Sequence, residues 1–340
     1  MQPRISLLRA TWIIAATVLV ASNGFAQGAD PGLARLRGEL ERLSAIARGK
    51  VGVGIIHLET GRELFLNGNE PFPMASTYKV PIAVQLLTKV DRGTVRLDSM
   101  ITLTPNDLHP GSGTLTSLFD DPGVSLSLRN VLELMLLISD NSATDLALKA
   151  AGGGKAVNER LAALNVTGIS VDRPTILLIA DAVGIKDLGP EKDWSLETFR
   201  QKSRGITPEQ SKQAALDFYK DRRDTSTPEG MARLLQKIWK RDGLSEASAA
   251  LLLDIMLRCQ TGDARIKGLL PPRTEVMHKT GTLGIGVAND VGIIRLPDGA
   301  GHVVVTVFVK ESQADTPTQE RTIAQVSRAI YDYFLFTTAK

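Results

Sequence analysis

The chain reads FPMASTYK over residues 72–79, which places Ser76 and Lys79 three positions apart. At the start of a helix, residues at this spacing share a face, so the lysine amine can approach the serine hydroxyl. Such a lysine can activate a serine as a nucleophile where no histidine is present. Taken alone, the motif is explained more simply by an exposed serine and a solvated lysine, so its weight depends on the rest of the chain.

The tripeptide Ser139-Asp140-Asn141 interrupts a helical pattern, between an apolar run that ends at Ile138 and the segment 143–150. A break at this point can aim Ser139 as a proton shuttle and Asn141 as a donor to a substrate amide. Because serine, aspartate and asparagine are all good helix N-caps, a cap without any catalytic role also explains the tripeptide.

The segment Lys279-Thr280-Gly281-Thr282 follows a predicted strand over residues 274–278. It would place a cation, hydroxyls and exposed backbone N–H groups at the strand end, where the glycine lets a substrate approach the backbone. A lysine with two threonines can hold a carboxylate, and an edge N–H can form half of an oxyanion hole. A strand end followed by a turn is the alternative that carries no function.

Predicted strands lie near both ends of the chain, with helices between them. Residues 50–57 and 62–66 predict one hairpin, and residues 290–296 and 302–309 predict a second. Predicted helices begin at the N-caps Ser127, Thr227 and Ser245, and a last helix covers residues 318–334. The pattern predicts an α+β fold, in which an antiparallel sheet assembled from both termini is flanked by helices and carries an inserted all-helical domain.

The first 26 residues are typical of a secretory signal peptide. Arg4 and Arg9 precede an apolar run over residues 10–21, and Gly24-Phe25-Ala26 offers a small-x-small cleavage site. About 12 apolar residues are too few to span a bilayer, which takes about 20, so no membrane anchor is expected. We therefore expect a secreted or periplasmic protein.

The composition argues against several function classes. The net charge of +3 falls to +1 once Arg4 and Arg9 are removed, which gives no electrostatic basis for binding nucleic acid. The four histidines lack metal-ligand spacing, and Cys259 is the only cysteine. We expect no metal, no cofactor and no disulfide within the chain, and we expect a monomer.

The three motifs gain weight as a set. Each occurs once in the chain, whereas average residue usage predicts ~1 chance S-x-x-K, ~0.05 S-D-N and ~0.2 K-[ST]-G in this length. All three together are about a one-in-a-hundred event on that composition. Their order resembles that of the class A β-lactamases and related penicillin-recognising serine enzymes.

Further segments extend the resemblance over nearly the whole mature chain, roughly residues 33–334. They are Val51-Gly52-Val53 with Thr60-Gly61-Arg62, Phe72-Pro73-Met74, Asp224-Thr225-Ser226-Thr227-Pro228 and Asn289-Asp290. The resemblance implies a catalytic domain over residues 27–340. Its sheet part would come from about 33–75 and 260–340, its helical part from about 76–259 and an enlarged loop from about 173–224.

The resemblance also implies roles for individual residues. Ser76 would be the acylated nucleophile, Lys79 the proton acceptor or relay, and Ser139 the proton donor to the leaving nitrogen, while the N–H groups of Ser76 and Thr282 would form the oxyanion hole. His109 would lie near an aromatic gate to the cleft. The implied substrate-binding residues are Asn141 for a side-chain amide, and Lys279, Thr280 and Thr282 for a carboxylate.

One loop departs from the family pattern. Val171-Asp172-Arg173 and Arg223-Asp224-Thr225 resemble the two ends of the family's Ω-loop, and we expect Arg173 and Asp224 to pair at its neck. In register, Thr175 stands where the family has its deacylating glutamate, and Ile179 stands where it has an asparagine. An insertion of roughly 35 residues enlarges the loop.

The sequence is compatible with three functions. A β-lactamase-like hydrolase with slow deacylation is the first, because threonine cannot act as a general base at neutral pH. A D-Ala-D-Ala peptidase or esterase is the second, and a penicillin-binding sensor that acylates and stops is the third. The substrate would be a small-molecule β-lactam or an acyl-peptide. The carboxylates that could replace the missing base are Asp181, Asp187, Glu191, Asp193, Glu197 and Glu209.

Overall fold

The two ends of the chain build one five-stranded antiparallel sheet. The computed structural model describes residues 30–121 and 123–338, and the predicted signal peptide lies outside these ranges. The strands of the sheet are β1 (Lys50–His57), β2 (Glu63–Leu66), β7 (Val276–Leu283), β8 (Val287–Arg295) and β9 (His302–Lys310), and their order across it is β2-β1-β9-β8-β7. Both predicted hairpins are confirmed.

Helices cover both faces of the sheet. On β9, Val303 and Val305 pack against α1 (Pro31–Ser44) and α12 (Thr316–Thr338), whereas Val304 and Phe308 point into the larger core on the opposite face. This alternation follows from the two-residue period of a strand, and both faces of β9 are mainly apolar because neither face meets water.

The middle of the chain is mainly helical. Ser127, Thr227 and Ser245 each accept a backbone N–H at a helix start, as predicted. Two short pairs complete the strands: β3 (Phe72–Pro73) with β6 (Thr225–Ser226), and β4 (Met100–Thr102) with β5 (Ser125–Ser127). The helices of this part are α2 (Lys79–Asp91), α3 (Leu115–Leu118), α4 (Leu128–Leu137), α5 (Asn141–Ala151), α6 (Gly153–Ala163), α7 (Thr175–Val183), α8 (Leu196–Ser203), α9 (Pro208–Phe218), α10 (Pro228–Trp239) and α11 (Glu246–Leu257).

Helix α10 packs closely on the sheet. A Cβ at Gly54 of β1 would lie 2.6 Å from both the Pro228 carbonyl oxygen and Thr306 Oγ1, so glycine permits this approach. The fold is thus α+β, with an antiparallel sheet between helices, as the sequence predicts. Among the described residues, no helix combines the length and the apolar composition that a membrane crossing requires.

Two boundaries differ from the predicted ones. Strand β7 does not end at His278 but runs on to Leu283, because residues 279–283 pair with residues 287–291 of β8. The last helix begins at Thr316 and continues to Thr338, beyond the predicted 318–334. The first difference matters for the site, since Lys279, Thr280 and Gly281 lie inside an edge strand and not in a turn after it.

Candidate active site

Ser76 lies in a 3₁₀ turn (Ala75–Tyr78) that leads directly into α2. Asn289 on β8 anchors this turn, because its Nδ2 donates to the carbonyl oxygens of Pro73 and Met74, both at 2.9 Å. A Cβ at Gly281 would lie 2.6 Å from the Met74 carbonyl oxygen and 3.0 Å from the Ser76 nitrogen. Glycine on β7 is therefore what allows the edge strand to pass beside the serine.

The Ser139-Asp140-Asn141 tripeptide breaks the helix, as predicted. Helix α4 ends at Leu137, Ser139 adopts a left-handed φ of 61°, and Asp140 caps α5 by accepting the Ala143 N–H at 2.9 Å. The cap interpretation therefore holds for Asp140, and the same turn carries Ser139 and Asn141 into the cavity that Ser76 lines.

Lys79 is fully buried on the first turn of α2. Its Nζ donates to the Ser139 carbonyl oxygen at 2.7 Å, to Ser139 Oγ at 3.0 Å and to Asn141 Oδ1 at 3.0 Å. Burial, reinforced by the nearby Lys279 ammonium, holds the pKa of Lys79 well below its usual range. A lowered pKa increases the neutral fraction of the amine, which is the form that can accept a proton.

Lys279 reaches the same hydroxyl from the sheet side. Its Nζ donates to Ser139 Oγ at 3.0 Å and to the Thr280 carbonyl oxygen at 2.9 Å. Burial lowers the pKa of Lys279 to about 8, so the group stays mainly cationic at neutral pH. Two buried amines thus contact Ser139 Oγ, which leaves the Ser139 hydroxyl proton free to point elsewhere.

The exposed edge of β7 supplies a backbone donor. Arg295 N–H donates to the Glu275 carbonyl at the start of the β7–β8 ladder, and alternate residues of an antiparallel pair exchange such bonds. Thr282 lies an odd number of residues after Glu275, so it belongs to the other set of residues and its N–H points away from β8. It faces the side of the strand where Ser76 lies, and both residues line one cavity of about 520 Å³.

Arg265 is a site residue that sequence reasoning missed. It is buried and lines the cavity, its Nη2 donates to Thr282 Oγ1 at 2.6 Å, and its Nη1 donates to the Gly281 carbonyl oxygen at 3.0 Å. Thr261 also lines the cavity and contacts Thr280 Oγ1 at 2.6 Å. The one signal available was the polar stretch 260–265 between an apolar helix and the strand, which a loop explains equally well.

Arg173 and Asp224 meet at the neck of the enlarged loop. Arg173 Nε lies 2.6 Å from Asp224 Oδ2, and Asp224 Oδ1 accepts the N–H groups of Asp172 and Arg173. Arg173 also contacts Asp181 at 2.5 Å and Asp221 at 3.1 Å. The inserted residues between the two ends form α7, α8 and α9.

Helix α7 presents an apolar wall to the cavity. Leu178, Ile179, Ala182 and Val183 line it, and the Thr175 hydroxyl contacts the Tyr78 hydroxyl. None of the six carboxylates proposed as a substitute base is among the described residues that line the cavity. Asp181, for one, contacts Arg173 and Arg223 instead.

His109 does not stand at the mouth of this cavity. Its side chain is buried, and it lines a second cavity of about 780 Å³ on the other side of α5. The expected aromatic gate is therefore wrong for His109. Gly111 and Ser112, a few residues along the same loop, border the Ser76 cavity instead.

The chain is similar in sequence to known proteins. Residues 35–334 match the model of the beta-lactamase enzyme family. The beta-lactamase VEB-1 of Pseudomonas aeruginosa is 30% identical over 87% of this chain and 89% of its own, and the extended-spectrum beta-lactamase PER-1 of the same organism is 28% identical over 95% and 94%.

Two solved structures are similar in fold. A beta-lactamase from Chitinophaga pinensis superposes with a TM-score of 0.71 at 30% identity, covering 88% of this chain and 98% of its own. An ancestral class A beta-lactamase gives a TM-score of 0.70 at 32% identity, covering 87% and 99%.

The loop neck predicts a stability effect. In Asp224→Asn, the asparagine side chain has the same shape as aspartate and also tolerates the left-handed φ of 52° at this position. The substitution removes the negative charge opposite the buried Arg173 guanidinium. We expect the free energy of unfolding to fall by about 2–3 kcal/mol, since Arg173 keeps its other carboxylate contacts. Urea denaturation measures this change. Asp254→Asn, which breaks an exposed pair with Arg258, is the control and should cost less than about 1 kcal/mol. Equal effects of the two variants would contradict the assignment.

Proposed function

This chain belongs to the beta-lactamase enzyme family, and we propose that it opens the β-lactam ring by acylating Ser76 and releases the product slowly. One observation carries the proposal. The cavity is lined by Ser76 and Ser139, and two buried lysines outside its lining, Lys79 and Lys279, contact the Ser139 hydroxyl. No carboxylate from the described residues lines it. The groups that acylation needs are present, and the base that hydrolysis of the ester needs is not.

Acylation uses the two amines in different protonation states. Ser76 Oγ attacks the lactam carbonyl carbon while neutral Lys79 takes the hydroxyl proton, directly or through Ser139. The ring C–N bond then breaks, and Ser139 gives its proton to the leaving nitrogen. The N–H groups of Ser76 and Thr282 would stabilise the negative charge that develops on the carbonyl oxygen.

Four side chains would hold the substrate carboxylate. Arg265 is a buried cation that lines the cavity together with Thr280 and Thr282, which add hydroxyls to the same wall. Lys279 is a second buried cation, and its Nζ lies 3.0 Å from Ser139 Oγ, which also lines the cavity. Charge-assisted hydrogen bonds are about twice as strong as neutral ones, so this wall would orient the ring against Ser76. Asn141, held by Lys79 and the Pro110 carbonyl, would bind the substrate amide.

No carboxylate of the described residues is positioned in the cavity as a base for hydrolysis of the acyl-enzyme. Thr175 occupies the start of α7, and its hydroxyl is satisfied by Tyr78, while the next turn is apolar. Loss of a general base typically costs about 10²- to 10⁴-fold in rate. The ester would therefore persist longer than its formation takes.

The same observation favours a second candidate, a penicillin-binding sensor that acylates and stops. A D-Ala-D-Ala peptidase would use the same groups, and release of D-alanine from a peptide distinguishes it from the sensor. For each of these functions we propose export to the periplasm or the medium, on the basis of the charged and apolar pattern of residues 1–26.

The proposal predicts an accumulating acyl-enzyme. Intact mass spectrometry during incubation with benzylpenicillin should show one added penicillin on most of the wild-type protein, decaying slowly once free drug is removed. Ser76→Ala should show no adduct and an unchanged circular dichroism spectrum, because it removes only the nucleophile. An adduct on Ser76→Ala would refute the nucleophile. A linear progress curve without a burst, near the common enzyme turnover of about 10 s⁻¹, would refute slow release.

Thr175→Glu should shorten the life of the acyl-enzyme. The backbone N–H of Thr175 is held by Asp145 at 2.6 Å and its side chain lines the cavity, so a carboxylate there would reach a water beside the ester. We expect deacylation to accelerate by at least about tenfold. Thr175→Gln is the control, because it has the same size without a basic oxygen, and equal lifetimes in both variants would contradict the role given to this position.

Lys279 predicts an alkaline limit on acylation. With a pKa of about 8, its charge is present below that pH and is lost as the pH rises through it. The second-order acylation constant for benzylpenicillin should therefore fall several-fold between about pH 7 and pH 9. A penicillin methyl ester, which has no carboxylate, should be a poorer substrate without this fall. A parallel fall for both substrates would show that another group titrates.

A further inference from the structure

A chain of polar contacts leads from the second cavity to the Ser76 cavity. His109 Nδ1 lies 2.6 Å from Asp145 Oδ2, and Asp145 in turn accepts the N–H groups of Thr175 at 2.6 Å and Ile176 at 3.2 Å. The Thr175 hydroxyl then contacts Tyr78, the second residue after the nucleophile. Asp145 thus caps α7 and bonds the histidine at the same time.

The start of α7 forms part of the wall between the two cavities. Pro174 lines the second cavity, and the next residue, Thr175, lines the Ser76 cavity. On α5, Ser142 lines the second cavity and Asn141 lines the Ser76 cavity. Polar and charged side chains border the second cavity, so water can occupy it. If the first turn of α7 moved away, that water would reach the ester from the α7 side, where no carboxylate of the described residues lines the Ser76 cavity.

We propose that His109 is a positioning residue, which acts through Asp145 to hold α7 closed and so prolongs the life of the acyl-enzyme. The inference rests on the proposed slow release of product. His109 lines the second cavity and not the one that Ser76 lines. Its other nitrogen, Nε2, lies 3.0 Å from the Asn106 carbonyl oxygen, so the ring is fixed at both ends.

Charge makes this contact sensitive to pH. Burial works against the charged ring, but the hydrogen bond and the charge of Asp145 outweigh it and raise the pKa of His109 above its usual value of 6.5. The positive charge on His109 is therefore present below that raised pKa and is lost as the pH rises through it. The other ionisable groups that face His109 across the cavity or along its loop are Asp107, Lys149, Asp172, Glu191 and Lys192.

The test compares His109→Gln with the wild type. Glutamine can still donate to Asp145 but carries no charge. We expect the benzylpenicillin adduct to decay about tenfold faster in the variant, since a buried carboxylate without its partner destabilises what it anchors. Formation of the adduct should change less than about twofold. The wild-type lifetime should shorten as the pH rises above 6.5 and through the raised pKa of His109, whereas the variant should stay fast over the same range.

His302→Gln is the matched control. It removes a second histidine–carboxylate pair, with Glu59 at 2.7 Å, which lies away from both cavities. Its adduct should decay at the wild-type rate. A His109→Gln adduct that decays like the wild type, or a loss of adduct formation equal to the change in decay, would overturn the proposal.

Hydrogen exchange provides a second test of the proposal, which does not depend on the acyl-enzyme. The amides of Thr175 and Ile176 should exchange about tenfold faster in His109→Gln than in the wild type, and Asp145→Asn should give the same direction of change. Unchanged exchange at both amides would overturn the anchoring role. If the wild type formed no lasting adduct, the proposed slow release would fail, while the exchange result would still decide whether His109 anchors α7.

Discussion

Two buried lysine side chains end on one hydroxyl, Ser139 Oγ, and the rest of the site follows from this arrangement. Lys79 comes from the helix after the nucleophile and Lys279 from the edge of the sheet, and each Nζ lies 3.0 Å from that oxygen. Burying an amine, neutral or charged, is costly unless hydrogen-bond partners surround it. The acceptors here are the carbonyl oxygens of Ser139 and Thr280 and the side-chain oxygen of Asn141. To bring them together, the helix must break at Ser139 and the edge strand must pass beside that break.

The same burial gives the two lysines different chemistry. Lys79, with its pKa well below the usual range, is suited to accept a proton, and Lys279, with a pKa near 8, is suited to hold an anion. Electrostatic interactions of the two lysines with their neighbours are strong because the groups are removed from water. Among the described residues, neither lysine forms a hydrogen bond to the enlarged loop. The loop keeps an ion-paired neck at Arg173 and Asp224 but places a threonine and an apolar turn on the side where the ester would be hydrolysed.

Much of this could be predicted because the deciding signals are local. Ser127, Thr227 and Ser245 cap helices through contacts within three residues, and the strands near the termini follow from apolar runs and turns. The end of β7 was misplaced because polar Lys279 and Thr280 continue a ladder whose pairing partner is only visible in the sheet. Arg265 was missed since its guanidinium reaches Thr282 across the fold. His109 was misassigned because the path of its loop decides which side of α5 it faces.

The most direct test of the central claim is the crystal structure of the benzylpenicillin adduct of the wild-type protein. It should show an ester on Ser76 Oγ, with the carbonyl oxygen between the N–H groups of Ser76 and Thr282. The α7 wall should be closed over the ester, with no carboxylate within hydrogen-bonding reach, about 3.5 Å, of any water beside the ester carbon. A carboxylate from the enlarged loop hydrogen-bonded to such a water would show that the chain carries its own base and would contradict slow release.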